Sequence, residues 1–168
     1  MATYWEIQMR LTFIHSMVVW IFLVSGLSSH PSLVVAASSA EATPVGKWKT
    51  VDDATGKVES LVSIWEEHGK LYGKIEEIFD QSSTNPDPRC SRCQGELKDR
   101  SLIGLRVLWD LKQDDTQWSG GKVLDPESGK IYSCVIAVED SGKKLRVRGF
   151  IGFSFLGRTQ YWLRDEKQ

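Results

Sequence analysis

Cys90 and Cys93 form a Cys-x-x-Cys motif, and two thiols at this spacing can close a small disulfide ring, take part in redox exchange or contribute to a zinc site. A zinc site needs four ligands, and downstream of residue 42 only His68 and Cys134 could join the pair. The surrounding sequence lacks the βαβ pattern typical of thioredoxin-like proteins. We therefore predict a Cys90–Cys93 disulfide, no metal and no cofactor. A disulfide between Cys134 and one member of the pair stays open.

Nucleophilic and acid–base catalysis have little support in the side chains. A catalytic Ser or Cys needs an adjacent base, and the only histidine after residue 42 is His68, in a predicted hairpin turn. Paired carboxylates such as Glu76 and Glu77 fall on a predicted strand, where neighbouring side chains point to opposite faces and do not converge. We predict that the protein is not an enzyme, and a thiol-disulfide or metal-linked enzyme is the weakest of three functional hypotheses.

Aromatic and arginine side chains indicate a different chemistry, the binding of a small molecule. Aromatic rings can line an apolar pocket, and an arginine can meet a ligand carboxylate. The leading hypothesis is therefore a protein that holds a small apolar or amphipathic ligand. The alternative is a barrel packed with the same side chains that acts as a structural or interaction protein with an envelope partner. The candidate ligand-binding residues are Trp65, Trp109, Trp118, Tyr132, Arg148 and Arg158.

Short alternating runs of apolar and polar residues must position these side chains, and turn residues interrupt the runs about every ten positions. Turn sequences such as Asp125–Gly129 are typical of tight hairpins, so consecutive strands should pair antiparallel. On one strand, Leu105, Val107, Trp109 and Leu111 should form the inner face. The eight predicted strands are Trp48–Val51, Val58–Glu66, Lys70–Phe79, Gly104–Lys112, Thr116–Leu124, Lys130–Glu139, Lys143–Phe150 and Arg158–Arg164.

The predicted fold class is all-β, an antiparallel up-and-down eight-stranded barrel. Eight such strands close into a barrel that is either filled by side chains or able to hold one small ligand, and a flattened sandwich is the competing geometry. A long loop, Asp80–Ile103, follows the third strand and contains both cysteines of the motif. Loops of this length are commonly functional, so we expect it to be either a contact site for a partner or a lid over one barrel end.

Residues 1–42 are interpreted as a cleaved signal peptide. Leu11–Val24 is an apolar run preceded by a basic residue and followed by a stretch of small residues. The run is shorter than the roughly 20 residues that cross a bilayer, so an uncleaved anchor is the less favoured alternative. We expect cleavage after Ala42, although cuts after Ala37 or Ala40 also fit. The mature protein would then be periplasmic or secreted, with no stable membrane span.

Charge and length limit the remaining possibilities. The 168 residues include 21 Lys plus Arg against 22 Asp plus Glu, for a formal net charge of -1. That balance gives no basic field for phosphates, so nucleic acid is excluded as a partner. The length suits one ordinary domain, and we place a single β-barrel domain at residues 43–168.

Two sets of residues carry a resemblance to known families. Gly46, Trp48 and Arg164, which open the first strand and close the last, resemble the structural signature of lipocalins and the wider calycin group. That resemblance implies an indole packed across the closed barrel end and covered by the arginine. The strings GKWKTVDDATG, CSRCQGELKDRSLIGL, GGKVLDPESGKIYSC and LRVRGFIGFSFLGRTQYWLR look like the bacterial secreted family known as domain of unknown function 2147. This likeness implies a small calycin-like barrel, export to the periplasm and no established biochemical activity.

Overall fold

The computed structural model describes residues 42–79 and 87–166, and these form a closed barrel of eight antiparallel strands. Each strand pairs with its neighbours in sequence, and β1 and β8 close the cylinder, as the alternating pattern predicted. The predicted fold class is therefore confirmed. The strands are β1 (Gly46–Val51), β2 (Val58–Glu67), β3 (Lys70–Ile78), β4 (Arg106–Asp114), β5 (Gln117–Asp125), β6 (Lys130–Glu139), β7 (Lys144–Phe150) and β8 (Gly157–Arg164).

Tight turns join most of the strands. The β2–β3 hairpin places His68 and Gly69 at φ 51° and 72°, the left-handed conformation that the predicted turn requires. The strand limits agree with the predicted ones to within a few residues. β4 begins two residues later than predicted because Gly104, at φ 84°, is not extended. Two single-turn 3₁₀ helices, Gly95–Leu97 and Asp140–Gly142, were not predicted.

The predicted inner face of β4 is wrong in part. Leu108 and Leu111 are completely buried, and Leu108 pairs with Val123 of β5. Trp109 is only partly buried and pairs with the exposed Lys122. Asp110 has φ 60°, so the strand does not alternate regularly here, and the inward positions move from Trp109 to Leu108.

Large apolar side chains fill one half of the barrel interior. Along β2, Val62 and Ile64 are buried inside, whereas the intervening Ser63 and the following Trp65 are only partly buried. The same alternation on the other strands places a continuous layer of completely buried groups around Trp48. Its largest members are Trp48, Ile64, Leu71, Leu108, Leu111, Ile136 and Leu145.

The described part of the Cys-containing loop, residues 87–103, packs against the barrel. Cys90 and Cys93 form a disulfide and are 0% and 2% exposed. The side chain of Arg92 donates a hydrogen bond to the carbonyl oxygen of Glu127 in the β5–β6 turn, at 3.1 Å. The rest of the predicted loop, residues 80–86, and the predicted signal peptide up to residue 41 lie outside the described residues. Within the described ranges, no helix has the length and hydrophobicity that a membrane crossing needs.

Candidate functional site

One end of the barrel is sealed by Arg164 and Trp48. The guanidinium carbon of Arg164 lies 4.1 Å from the centre of the Trp48 indole ring. The guanidinium also donates hydrogen bonds to the carbonyl oxygens of Gly142, Val45 (3.2 Å) and Thr43 (2.6 Å). These contacts tie the chain entering β1 to the chain leaving β8, so a ligand would have to enter from the opposite end.

Two further contacts fit the Trp48 ring into this end. Its indole N–H donates to the carbonyl oxygen of Pro44 at 2.8 Å, which satisfies the polar group of an otherwise apolar side chain. Gly46 has φ 133°, a conformation that L side chains rarely adopt, and a side chain there would place its first carbon 2.9 Å from the Arg164 guanidinium. The three residues of the sequence signature therefore lie together in this structure.

The opposite half of the barrel contains a cavity of about 1510 Å³. Its buried floor is formed by Val62, Ile75, Val147 and Trp162, which lie directly above the filled half. The cavity is large compared with the roughly 300–1,000 Å³ of typical small-molecule sites, and part of its volume lies at the open mouth.

Small side chains leave this half hollow. Thr50, two residues beyond Trp48 on β1, hydrogen-bonds the facing Ser60 of β2 at 2.8 Å, and both line the cavity. Gly149 of β7 also lines it, and a side chain there would contact Val123 and Tyr132. The strands that bring Trp48 and Ile64 into the filled half thus bring hydroxyls into the other half, and β7 adds a glycine there.

An apolar loop forms one wall of the mouth. Ile151, Phe155 and Leu156, between β7 and β8, line the cavity while remaining 65%, 74% and 64% exposed. Pro88 and Leu102 of the Cys-containing loop line it from elsewhere on the rim. A molecule in the cavity would therefore find apolar contacts both at the floor and at the entrance.

Charged residues form the rest of the mouth. Asp52, Glu59, Asp125 and Glu127 line it beside Lys57 and Arg158. Burial raises the pKa of Glu59, and the negative charges of Glu127 and Asp52 add to the shift. Hydrogen bonds from the side chain and backbone of Thr55 lower the pKa of Asp52. Burial thus disfavours the charged form of Glu59, whereas the Thr55 hydrogen bonds favour the charged form of Asp52.

The structure brings two of the six predicted ligand-binding residues to the cavity, Tyr132 and Arg158. Arg158 does not extend freely into the cavity, because its guanidinium binds Asp53 through two hydrogen bonds of 2.7 and 3.1 Å. The expected pairing of this arginine with a ligand carboxylate would therefore have to break an ion pair.

The other four predicted residues lie away from the cavity. Trp65 stacks on Tyr72 outside the barrel, with ring centres 5.9 Å apart, and Arg106 lies over both rings. Arg148 donates hydrogen bonds of 2.8 Å to the carbonyl oxygen of Ser154 and the hydroxyl of Thr159, which braces the apolar loop. The remaining two residues are Trp109 and Trp118. Both are partly buried and pack against the core, and neither lines the cavity.

Sequence reasoning missed the polar lining residues, notably Glu59 and Ser60. Aromatic rings and arginines were predicted from residue type, whereas strand register determines which side chains line the cavity. Counting in steps of two from Trp48 reaches Thr50, and counting back from the buried Val62 reaches Ser60. That count predicts Thr50 and Ser60 from the sequence, whereas Glu59 lies at the irregularity between the Thr50–Ser60 and Val51–Val58 pairs and is not reached by it.

The third cysteine, Cys134, is free and buried in the barrel wall. It makes no disulfide with the loop pair, which settles the alternative left open by the sequence. Burial raises the pKa of the Cys134 thiol to about 12. Residues 42–79 and 87–166 contain no group of three or more His, Cys, Asp or Glu side chains arranged to hold a metal.

Ellman's reagent should modify no thiol in the native protein at pH 8 and one thiol per chain after unfolding without reductant. With a pKa of about 12, only about one thiol in ten thousand is ionised at that pH, and the thiolate is the reactive form. A Cys134→Ser variant should give no reaction in either state. Rapid native labelling, or three reactive thiols after unfolding, would contradict the burial or the disulfide.

A closed antiparallel barrel with one sealed end and one hollow, open end defines a lipocalin-like barrel. Among solved structures, protein HP1028 from the human pathogen Helicobacter pylori, described as belonging to the lipocalin family, is similar with a TM-score of 0.64. The match covers 75% of this chain and 85% of that chain at 23% sequence identity, and it shows the fold alone.

Sequence comparison gives the family. Residues 46–164 match the family described as "Uncharacterized protein conserved in bacteria (DUF2147)", and the chain belongs to that family. The match confirms the predicted resemblance and covers all eight strands. Among curated proteins, none matches the sequence significantly.

Proposed function

We propose that this protein is an exported lipocalin-like barrel that binds a small apolar or amphipathic molecule in the open half of the barrel. The observation that carries the proposal is the cavity of about 1510 Å³, with an apolar floor that includes Val62 and Trp162. A packed barrel would have no such space. The apolar surface that a ligand covers there contributes about 25 cal/mol per Å² to the free energy of binding.

Two features support export. The sequence begins with the pattern of a signal peptide, and disulfides such as Cys90–Cys93 persist in oxidising compartments outside the cytosol. The periplasm or the extracellular medium is accordingly the proposed location.

Val123→Trp should weaken the binding of a hydrophobic fluorescent probe such as N-phenyl-1-naphthylamine. Val123 lines the cavity, so the larger ring would take up part of the apolar space against which the probe packs. We expect the wild-type protein to bind the probe, and the Val123→Trp variant to bind it at least about tenfold more weakly, a loss of about 1.4 kcal/mol. Fluorescence titration measures both affinities, and circular dichroism checks that each variant is folded.

Lys122→Trp is the matched control. Lys122 is the preceding residue, is exposed and points to the outer face of β5, so the same ring added there should leave probe binding unchanged. Equal loss in both variants would show that the probe binds elsewhere. No binding by the folded wild-type protein would contradict the proposed function.

Contact with an envelope partner is the second candidate function. The exposed apolar loop that includes Phe153 and Phe155 supports it, because contiguous exposed apolar groups commonly mark interaction sites. The described part of the Cys-containing loop, which the sequence suggested for this role, packs instead on the barrel. A wild-type barrel that binds no probe would favour this candidate over the first.

A further inference from the structure

The mouth of the cavity carries an excess of negative charge. Four carboxylates line it against two basic side chains. One of these two, Arg158, is already paired with Asp53, which lies just outside the lining. Lys57 is therefore the only lining base that no carboxylate of the described residues engages, and its side chain is exposed. An anionic group entering the mouth would meet more repulsion than attraction.

Of the four carboxylates that line the mouth, two are engaged in hydrogen bonds and two are not. Asp52 accepts hydrogen bonds from Thr55, and Asp125 accepts them from Ser128, so both are held within their own turns. In the described part of the chain, the carboxylates of Glu59 and Glu127 accept no hydrogen bond and form no ion pair. These two groups are free to bind a ligand.

We propose, on the basis of the function proposed above, that the cavity selects amphipathic molecules whose head is a cation, such as a protonated amine or a quaternary ammonium. The apolar floor would hold the body of such a molecule, and Glu59 and Glu127 would neutralise its head. The site is the cavity itself, and the two carboxylates determine which head group it accepts.

Electrostatics at Glu59 agree with this selection. Its pKa is raised by burial first and then by repulsion from Glu127, Asp52 and Asp53, while Arg158 acts in the opposite direction. A cation placed between these carboxylates would relieve the repulsion, and an anion would increase it.

Aromatic rings in the same cavity provide the second element of ammonium recognition. Tyr132 and Phe155 line the cavity, and Phe155 belongs to the apolar loop at its mouth. The face of an aromatic ring attracts ammonium groups, and its contribution grows when the group is removed from water. Carboxylates and ring faces together favour a cationic head, whereas a carboxylate head would find Lys57 alone.

The experiment compares three ligands that share a dodecyl chain and differ in the head: dodecyltrimethylammonium, the neutral dodecyldimethylamine N-oxide and dodecanoate. Each displaces the fluorescent probe from the full-length mature protein at pH 7.5, low salt and monomeric concentrations. We expect the ammonium compound to bind about tenfold more tightly than dodecanoate, with the amine oxide between them. The preference should decrease as salt is added.

A pair of charge-matched variants assigns the effect to the mouth. Glu59→Gln/Glu127→Gln should bring the three affinities to within about twofold of one another. Glu77→Gln/Glu96→Gln, which removes two exposed carboxylates that do not line the cavity, should keep the wild-type preference.

Each outcome is decisive. Dodecanoate binding as tightly as the ammonium compound would overturn the selection while leaving the binding function intact. A preference that persists without Glu59 and Glu127, or that falls equally in the control variant, would overturn the role of these carboxylates. Binding of none of the three ligands would overturn the proposed function together with the inference.

Discussion

Trp48→Ala is expected to lower the free energy of unfolding by about 3–5 kcal/mol, the range for removing a fully buried large aromatic side chain. The indole is 0% exposed, donates to Pro44 and supports the Arg164 guanidinium on its face. Removing it leaves a void between the seal and the core, and the buried carbonyl oxygen of Pro44 loses its donor. Domains of this size are stable by about 5–15 kcal/mol, so the variant should be close to unfolding. Urea denaturation followed by circular dichroism measures the change.

Trp65→Ala is the control, because it removes the same side chain from the outside of the barrel. Trp65 contacts Tyr72 and Arg106 there, and the expected loss is about 1–2 kcal/mol. Trp48→Phe keeps a ring beneath Arg164 but cannot donate to Pro44, so its loss should lie between those of the two alanine variants. Equal losses for Trp48→Ala and Trp65→Ala would contradict the role of the sealed end.

The fold could be predicted from the sequence because its determinants are local. Alternating runs define strands, and turns such as the one at His68 and Gly69 require left-handed residues that the sequence supplies. Short connections then favour antiparallel pairing of most consecutive strands, and the residues at the two ends, Trp48 and Arg164, meet when eight strands close.

The lining of the cavity could not be predicted to the same extent, because it depends on the register of each strand. A shift of one residue moves a side chain from the interior to the surface. At Asp110 the strand departs from regular alternation, so Leu108 replaces Trp109 as the inward residue. Likewise Trp65 follows the buried Ile64 and points outward. Residue type favoured both tryptophans as ligand contacts, whereas register places neither at the cavity.

The charge of the mouth depends on long-range neighbours in a similar way. Arg158 and Asp53 lie far apart in sequence, and only barrel closure brings the start of β8 to the β1–β2 turn. Considered without the Arg158–Asp53 pair, the basic residues late in the chain suit an anionic ligand. Because Asp53 neutralises Arg158, the unpaired carboxylates Glu59 and Glu127 give the entrance its excess of negative charge. The sequence could list these charges but could not pair them.

Gly129→Ala is expected to lower the free energy of unfolding by about 2–5 kcal/mol. Gly129 lies in the β5–β6 turn at φ 70°, where an alanine costs about 1–2 kcal/mol. The added carbon would also lie 2.0 Å from the carbonyl oxygen of Arg92 and 2.7 Å from the backbone nitrogen of Cys93. These are backbone atoms that cannot move aside alone, so the disulfide loop must shift, which adds about 1–3 kcal/mol. Urea denaturation measures the loss.

Gly69→Ala separates the two contributions. Gly69 has nearly the same conformation, φ 72°, but a side chain there would meet nothing within 4 Å. Its loss should therefore be only the conformational part, about 1–2 kcal/mol. The shift of the loop should also be visible directly, because Cys90 and Cys93 belong to that loop and are buried: a mild reductant should cleave their disulfide faster in Gly129→Ala than in Gly69→Ala. Equal stability and equal reduction rates in the two variants would mean that the loop does not pack on the β5–β6 turn in solution.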